Sequence, residues 1–222
     1  GGDGTMLSIA VAAAQNKVPL LGINLGRLGY MTELETDEIP LLSSLKTNEF
    51  TVENRIMLSA DVIRDGKKAA SFTALNEILV CRGSVSRMID LTLKCDSTSV
   101  AAYRADGIIA ATPTGSTAYT MSAGGPIIDA KLKLICVCPI CPHSFTGSRA
   151  IVFSPDSSLE ISVSSQYNGD IYLTSDGREH TQIFYDDVVR ISRSPLVTGL
   201  IKIKKNTFYE TLYKKFNFGE TI

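Results

Sequence analysis

The chain opens with Gly1-Gly2-Asp3-Gly4-Thr5, a glycine-rich turn that carries one carboxylate. The glycines let the backbone turn tightly and let a substrate approach it closely. Because an apolar helical run follows at once, the turn presents free N–H groups at a helix N-terminus, where phosphate binds well. A carboxylate repels phosphate, so Asp3 either holds Mg²⁺ or takes a proton from an attacking hydroxyl. An Asp-Gly turn without a ligand is the alternative for so short a motif.

Small polar residues cluster in a second region, which comprises YRADG at 103–107, TPTGSTAY at 112–119 and SAGGP at 122–126. Hydroxyls and free N–H groups in a strand-to-helix turn can bind a polar ligand. The ring of Tyr119 offers an aromatic face to a heteroaromatic group, and Asp106 places a carboxylate just before an apolar strand. Each residue alone fits a structural role, but no structural role requires the whole string.

The pair Asn76-Glu77 interrupts an apolar run over 74–80. Burying an amide and a carboxylate costs several kcal/mol unless both are paired. An asparagine can read a base or a ribose, and a glutamate can bind a ribose hydroxyl or a metal. A solvent-facing strand edge is the alternative for this feature taken alone.

Composition limits the classes of function. The chain has 222 residues, of which 44% are hydrophobic and 20% are charged, so it can bury a core in one large or two small domains. It carries 22 basic and 23 acidic residues, with a net charge of −1, which argues against a nucleic-acid or membrane-surface partner. We find no apolar run that approaches a membrane span and no signal-peptide pattern.

The five cysteines indicate reduced thiols in a cytosolic protein. Cys81 and Cys95 lie in strand-like runs, and the other three form C-x-C-x-x-C at 136–141, an apolar stretch with two prolines. A metal site built from this stretch and His143 is the alternative, but the prolines stiffen the segment. We therefore predict no metal-ligating residues.

Residues 1–48 predict a partial α/β domain. The pattern indicates a helix over 5–15 with Thr5 as its N-cap, a short buried strand over 18–24, and a solvated helix around 39–45. A glycine-rich phosphate turn normally follows a buried strand, so we expect early strands of this domain to be missing ahead of the turn.

From residue 49 to residue 200 the hydrophobic period falls towards two, which predicts a β-sandwich. Asp-Gly pairs at 65–66 and 176–177 mark hairpin turns, and a helix is expected over 116–123. Residues 201–222 predict a strand end and an amphipathic helix that packs back on the first domain. The fold class is thus α/β plus all-β. The predicted strands include 58–62, 89–95, 107–112, 159–163, 171–173, 189–191 and 200–203.

Taken together, these motifs strongly resemble those of the bacterial NAD kinases. The resemblance covers essentially the whole chain in order and spacing, and it includes LNE at 75–77, SR at Ser86-Arg87 and PICPH at 139–143. TPTGSTAY with an upstream Asn-Glu pair is highly specific. GGDGT alone is shared with a wider superfamily that includes diacylglycerol and sphingosine kinases.

The resemblance implies transfer of the terminal phosphate of ATP, or of polyphosphate in some members, to the 2′-hydroxyl of the adenosine ribose of NAD, giving NADP. It implies an N-terminal α/β domain and a C-terminal β-sandwich with the active site between them. It also implies a cytosolic homodimer or homotetramer that needs a divalent cation, usually Mg²⁺.

The resemblance also assigns residues by position. Asp3 matches the catalytic base, Gly4 matches its neighbour in the NAD site, and Asn76 and Glu77 match the pair that contacts the NAD nucleoside. Many members carry a glutamine where this chain has Arg178. The positions implied for dinucleotide binding, besides those four, are Arg87, Arg104, Asp106, Thr117, Ala118, Tyr119, Thr120, Met121, Ser122 and Arg178.

Two other functions compete with this interpretation. A lipid or sugar kinase that shares GGDGT would leave Asn76-Glu77 and the TPTGSTAY string without a reason. A non-catalytic regulator that binds NAD or NADP would have no need of the Asp3 carboxylate.

Overall fold

The computed structural model describes residues 1–26, 29–83, 87–143, 149–164, 167, 169–205 and 208–217. The helices in these residues are α1 (Asp3–Gln15), α2 (Tyr119–Ser122) and α3 (Phe208–Asn217), with 3₁₀ helices at Thr36–Leu45 and Thr114–Thr117. The strands are β1 (Thr51–Arg64), β2 (Lys67–Ala74), β3 (Glu77–Arg82), β4 (Ile89–Cys95), β5 (Thr98–Ala105), β6 (Gly107–Ala111), β7 (Ile135–Ile140), β8 (Ile151–Phe153), β9 (Leu159–Val163), β10 (Ile171–Ser175), β11 (Glu179–Ile183) and β12 (Val188–Lys202).

The chain divides into two units. Unit 1 consists of residues 1–55, 129–131 and 196–222, and unit 2 consists of residues 56–128 and 132–195. The chain passes between the units at four points, and two of these lie within strands β1 and β12. In the described part of the chain, no helix is both long enough and apolar enough to cross a membrane.

Helix α1 of unit 1 starts earlier than the sequence indicates. Gly2, at φ −81° and ψ −166°, is the N-cap, so the prediction of Thr5 as N-cap was wrong. The Gly2 carbonyl oxygen accepts hydrogen bonds from the N–H groups of Thr5 at 3.0 Å and Met6 at 3.2 Å, which places Thr5 inside the first turn. The helix buries Met6 and Ala10 and leaves its first turn without a side-chain cap.

The buried strand predicted over 18–24 is not present as a strand. Leu20 forms one parallel bridge with Leu200, and Ile23 forms one with Leu34. The partner changes within four residues, so no ladder continues along the segment, and Val18 is 54% exposed. The helix expected around 39–45 is present as part of the 3₁₀ helix Thr36–Leu45, which contains a proline at position 40 and buries none of its residues.

The C-terminal segment of unit 1 is fixed by one buried carboxylate. Glu33 accepts hydrogen bonds from Lys202 Nζ at 2.7 Å and from the backbone N–H groups of the next two residues at 2.8 and 2.6 Å. In α3, the ring of Phe208 lies 6.2 Å from the ring of Tyr30, and Lys215 Nζ lies 3.9 Å from the centre of the same tyrosine ring. The predicted amphipathic helix is therefore present, and it contacts residues from the start of the chain.

Unit 2 is built on two six-stranded sheets, with strand orders β2-β1-β12-β9-β4-β5 and β11-β10-β3-β6-β7-β8. A single core cluster draws buried side chains from both sheets, for example Leu58, Leu93 and Ile161 from one and Ile78 and Ile108 from the other. Sandwich packing of this kind buries every second side chain of a strand. The predicted fold class, α/β plus a β-sandwich, is confirmed.

Both predicted Asp-Gly turns are present. Asp65 and Gly66 join β1 to β2 with φ values of 51° and 72°, and Asp176 and Gly177 join β10 to β11 with φ values of 51° and 64°. Two successive positive φ angles are typical of a type I′ turn, which Asp-Gly adopts readily.

All five cysteines lie in the described part of the chain, and all are free thiols. Cys136 and Cys138 are buried in β7, whereas Cys141 is exposed, so burial was predicted correctly for only part of the motif. Burial raises the pKa of Cys136 to about 11, which makes its thiol unreactive. Among the described residues, no group of three or more His, Cys, Asp or Glu side chains is arranged to hold a metal ion.

Candidate functional site

The carboxylate of Asp3 is held by backbone N–H groups of the segment between the bridge residues Ile23 and Leu34. Its Oδ2 accepts a hydrogen bond from the Tyr30 N–H at 2.7 Å, and its Oδ1 accepts one from the Met31 N–H at 2.9 Å. A Cβ at Gly29 would overlap Asp3 Oδ1, so the loop needs glycine at this position. A carboxylate offers about four lone-pair positions, and the two N–H groups leave the others for a hydroxyl or a cation.

A cation and an aromatic ring lie close to this carboxylate. Burial raises the pKa of Tyr30, and the Asp3 charge adds to the rise. Burial lowers the pKa of Lys215, while the Asp3 charge opposes that change. The half-buried Asp3 therefore acts electrostatically on both neighbours, which indicates a site where charge is only partly screened by water.

The first turn of α1 is open to a ligand. No side chain caps it, and a Cβ at Gly4 would have no described atom within 4 Å. A helix of this length presents a partial positive charge at its uncapped end. The turn can therefore receive an anionic group, as the sequence predicts.

Unit 1 also contains a cleft of about 1310 Å³, which borders Gly29 and Tyr30. Three of its acidic residues form ion pairs: Glu33 with Lys202, Glu38 with Lys204 and Glu53 with Arg55. Further basic side chains on its wall include Lys131, Lys205 and Lys214. The cleft is large enough for a nucleotide-sized ligand.

In unit 2, Glu77 is the first residue of β3 and Asn76 lies just before it. Strand β3 lies between strands β10 and β6. Both residues are 8% exposed, which rules out a solvent-facing strand edge. The carboxylate of Asp176 accepts hydrogen bonds from the N–H groups of Leu75 at 2.8 Å, Asn76 at 2.8 Å and Glu77 at 3.1 Å. The Asp176 N–H in turn donates to the Glu77 carbonyl oxygen at 3.0 Å.

The other side of the same segment is bound by the start of the hydroxyl-rich string. Thr112 Oγ1 donates to the Leu75 carbonyl oxygen at 2.6 Å, and the Thr112 N–H donates to the Asn76 carbonyl oxygen at 2.8 Å. A Cβ at Gly115 would overlap that Asn76 oxygen, so only glycine fits there. The string and the Asn-Glu pair thus form one packed site within unit 2.

Three buried oxygen atoms at this site have no hydrogen-bond partner among the described residues: Asn76 Oδ1, Glu77 Oε2 and Thr120 Oγ1. Burial raises the pKa of Glu77 to about 7, and the nearby Asp176 carboxylate adds to the rise. Native proteins pair almost all such atoms, so the oxygens of the adjacent residues Asn76 and Glu77 are candidates for contact with a ligand.

The expected helix over 116–123 is divided into the 3₁₀ helix Thr114–Thr117 and the single turn α2, because Ala118 has the non-helical angles φ −99° and ψ −131°. Ser116 Oγ closes the turn by donating to the Pro113 carbonyl oxygen at 2.7 Å and accepting from the Ile128 N–H at 3.0 Å. The residues around the break differ in exposure: Thr117 and Ala118 are half-buried, Thr120 is buried, and Tyr119, Met121 and Ser122 are exposed.

The charged residues implied by the resemblance have varied surroundings. Asp106 is paired with Arg82, whose Nε donates to its Oδ1 at 2.7 Å. Arg104 is 62% exposed on the side chain and lies 3.9 Å from Asp90. Arg87 and Arg178 are exposed as well. Ser86 of the SR motif lies outside the described residues.

Sequence reasoning missed the roles of several site residues. Asp176 was recognised only as a turn residue, and Arg82, Thr112 and Gly29 were given no role of their own. Glycine and threonine types gave a weak signal, but the contacts of Asp176 join positions about 100 residues apart. No local pattern reports a contact of that kind.

Comparison with known proteins agrees with this geometry. The family model described as the ATP-NAD kinase N-terminal domain matches residues 1–45, and that of the ATP-NAD kinase C-terminal domain matches residues 75–203. The NAD kinase of Caldanaerobacter subterraneus subsp. tengcongensis is 42% identical over 216 residues, which are 97% of this chain and 76% of that protein. The NAD kinase of Natranaerobius thermophilus is 38% identical and covers 100% of this chain and 77% of its own length.

Solved structures share the fold. Yeast NADH kinase complexed with NADH has a TM-score of 0.89 at 24% identity, over 100% of this chain and 65% of that chain. An NAD kinase from Archaeoglobus fulgidus in complex with ATP has a TM-score of 0.76 at 29% identity, over 97% of this chain and 80% of that chain. Fold and site thus define a kinase of nicotinamide dinucleotides. The chain belongs to the NAD kinase family.

Proposed function

We propose that this protein transfers a phosphate group from ATP to the 2′-hydroxyl of the adenosine ribose of NAD, forming NADP. The observation that carries the proposal is the buried pair Asn76-Glu77, whose side-chain oxygens Oδ1 and Oε2 have no partner among the described residues. Relatives named NAD kinase, and the structures of the yeast enzyme complexed with NADH and of the Archaeoglobus fulgidus enzyme in complex with ATP, support the choice of substrates.

Asp3 is the proposed catalytic base. A ribose hydroxyl is a weak nucleophile near neutral pH, so a carboxylate within hydrogen-bond reach accelerates its attack by orienting it and accepting its proton. The N–H groups of Tyr30 and Met31 fix the carboxylate and leave it the lone pairs that this role requires. The proton moves to a carboxylate oxygen while the new phosphorus–oxygen bond forms, and the bond between the γ-phosphorus and the bridging oxygen of ATP breaks to release ADP.

Most of the rate of phosphoryl transfer comes from alignment and charge neutralisation. In this proposal, the uncapped N–H groups of α1, including that of Gly4, face the phosphate chain. The lysine-bearing cleft of unit 1 favours a polyanionic donor, which includes polyphosphate as well as ATP.

Mg²⁺ fits the donor groups of this chain. Mg²⁺ is commonly held by one or two carboxylates together with substrate phosphates, and Asp3 keeps free lone pairs for such a contact. Among the described residues, no preformed cluster of three acidic or His/Cys ligands offers a site without substrate. When bound, the ion neutralises charge on the transferred phosphate.

Recognition of the dinucleotide is assigned to unit 2. Asn76 and Glu77 bind the nucleoside, and the ring of Tyr119 stacks on a heteroaromatic base. The backbone and hydroxyls of 117–122 make further polar contacts. Arg87, Arg104, Asp106 and Arg178 complete the proposed set, as the resemblance implies.

On family grounds we also propose a homodimer or homotetramer that works in the cytoplasm. Chromatography with light scattering at assay concentration measures the mass of the assembly. A monomer in that measurement would contradict this part of the proposal.

A coupled assay for NADP formation by the purified protein, with and without ATP, tests the function. We expect NADP only when both NAD and a phosphate donor are present. A non-catalytic regulator would bind NAD in calorimetry but form no NADP. A lipid or sugar kinase would consume ATP only with its own acceptor, and either result would overturn the proposal.

A further inference from the structure

Strand pairing leaves a gap at the start of β3. The ladder between β10 and β3 ends at Ser175 and Ile78, because the chain turns away at Asp176-Gly177. The N–H groups of the three preceding residues, 75–77, therefore have no ladder partner in β10. Buried N–H groups need partners, and the Asp176 carboxylate supplies all three bonds.

We propose that Asp176 is a positioning residue for dinucleotide recognition: its carboxylate replaces the missing strand and holds residues 75–77 so that Asn76 Oδ1 and Glu77 Oε2 remain available to the ligand. This inference rests on the proposed function. Asp176 does not itself contact the substrate in this account. It acts through the backbone of the segment that does.

The segment is also clamped from the opposite side, which makes the positioning rigid. Strand β6 ends at Ala111, and the next residue, Thr112, binds the carbonyl oxygens of Leu75 and Asn76. With N–H and carbonyl groups all occupied, the backbone cannot shift to give the two side-chain oxygens a partner within the protein. A ligand hydroxyl or N–H group is then the partner that Asn76 Oδ1 requires.

The turn alone does not explain a buried carboxylate at position 176. The hairpin between β1 and β2 uses the same Asp-Gly pair with nearly the same φ angles, and its Asp65 is exposed. Asp176 is 9% exposed and burial raises its pKa, although the three N–H groups favour the charged form. Asparagine adopts this turn as readily as aspartate, so Asp→Asn at either turn keeps the hairpin.

These two turns provide a matched experiment. We expect Asp176→Asn to weaken NAD binding about tenfold or more, because an amide presents only one acceptor oxygen to three N–H groups. The Asp65→Asn variant should bind NAD like the wild type. Isothermal calorimetry measures the dissociation constant for NAD, and initial rates give KM for ATP, which should stay within about twofold in both variants.

An unchanged NAD affinity in folded Asp176→Asn would overturn the inference, as would equal losses for NAD and ATP. If that variant does not fold, Thr112 gives a second test of the same segment. Thr112→Ser keeps the hydroxyl bond to the Leu75 carbonyl oxygen and should retain NAD affinity, whereas Thr112→Val removes it and should lose affinity. Equal NAD affinities for these two variants would contradict positioning of the segment.

The outcome separates this inference from the proposed function. A wild type that binds NAD and forms no NADP overturns the kinase function, while sensitivity of binding to Asp176 would still support positioning. A wild type that forms NADP, with an Asp176→Asn variant that binds NAD equally well, overturns the positioning role alone. A wild type that binds no NAD overturns both.

Discussion

Two aspartates among the described residues each accept more than one backbone N–H bond, and they differ in how accessible their remaining lone pairs are. Asp3 in unit 1 accepts two such bonds and is half-buried, with an uncapped helix end beside it. Asp176 in unit 2 accepts three and is buried at the turn of the β10–β11 hairpin. The first carboxylate keeps lone pairs that a ligand can reach, while the second is buried and most of its lone pairs are bound by the protein.

This difference distinguishes a catalytic carboxylate from a structural one. A carboxylate that takes part in proton transfer must be fixed, yet it must retain a free lone pair directed outside the protein. A carboxylate that only holds a binding segment in place needs no free lone pair, so the backbone can bind its oxygens. The comparison therefore predicts that changes at Asp3 alter turnover, whereas changes around Asp176 alter stability and NAD affinity.

The largest expected effect is at Asp3. Asp3→Asn should keep the fold and lower kcat for NADP formation by ~10²–10⁴-fold, the range typical of a lost general base. One amide oxygen can still accept a bond from Tyr30 or Met31, so thermal unfolding should shift by only a few degrees. Steady-state rates and thermal denaturation measure both quantities.

The Asp65→Asn variant is the control for this change, because it removes the same charge from an exposed turn. It should retain wild-type kcat. Near-normal kcat for Asp3→Asn would contradict a catalytic role for Asp3 and, with it, the functional difference between Asp3 and Asp176.

The pH dependence of protein stability tests the surroundings of Glu77, which lies next to Asp176. Its pKa is raised to about 7 by burial and by Asp176, so the neutral acid is favoured in the folded state. That contribution to stability is fully present below the unfolded-state pKa near 4.5 and is lost as pH rises through about 7. Glu77→Gln cannot ionise. We expect it to gain roughly 2–3 kcal/mol relative to wild type between pH 5 and pH 8.

Denaturant unfolding of both proteins at the two pH values measures this difference. Using the variant-minus-wild-type difference removes the contribution of every other titrating group. Parallel pH dependence of the two proteins would show that Glu77 is ionised in the folded state throughout, and the account of its burial next to Asp176 would be wrong.

Gly115 tests how tightly the segment 75–77 is clamped. A Cβ there would overlap the Asn76 carbonyl oxygen, so Gly115→Ala should destabilise the fold by about 1–3 kcal/mol and weaken NAD binding. Gly4→Ala is the counterpart in unit 1, where nothing described lies within 4 Å. It should leave stability unchanged or higher, because alanine favours a helix, and act only on catalysis. Equal stability of both variants would contradict the clamp.

Local features of the fold could be predicted from the sequence, whereas contacts between distant residues could not. The Asp-Gly turns and the alternation of strands such as Leu159–Val163 are set by neighbouring residues and were predicted correctly. The segment 18–24 has strand-like composition, but its pairing depends on residues near 34 and 200, and the strand was not found. Composition indicates that a segment favours a strand, but the residues with which it pairs determine whether the strand forms.

The same limit applies to the candidate site. Asn76-Glu77 could be singled out because polar residues interrupt an apolar run, and the structure places both in a buried position. The three bonds from Asp176 and the two from Thr112 were not predicted, since they join segments tens of residues apart. The assignments of Arg87, Arg104 and Arg178 stay predictions, because all three side chains are exposed.

The smallest expected effect concerns Tyr119, whose ring is 45% exposed and contributes little to the core. Tyr119→Ala should weaken NAD binding by about 3–10-fold through lost stacking and leave thermal stability nearly intact. Tyr185 is 44% exposed in the same unit and was assigned no part in the site, so Tyr185→Ala is the matched control. Calorimetry with NAD distinguishes the two variants. Equal affinities would exclude Tyr119 from the site and leave recognition in unit 2 to the segment that Asp176 and Thr112 hold.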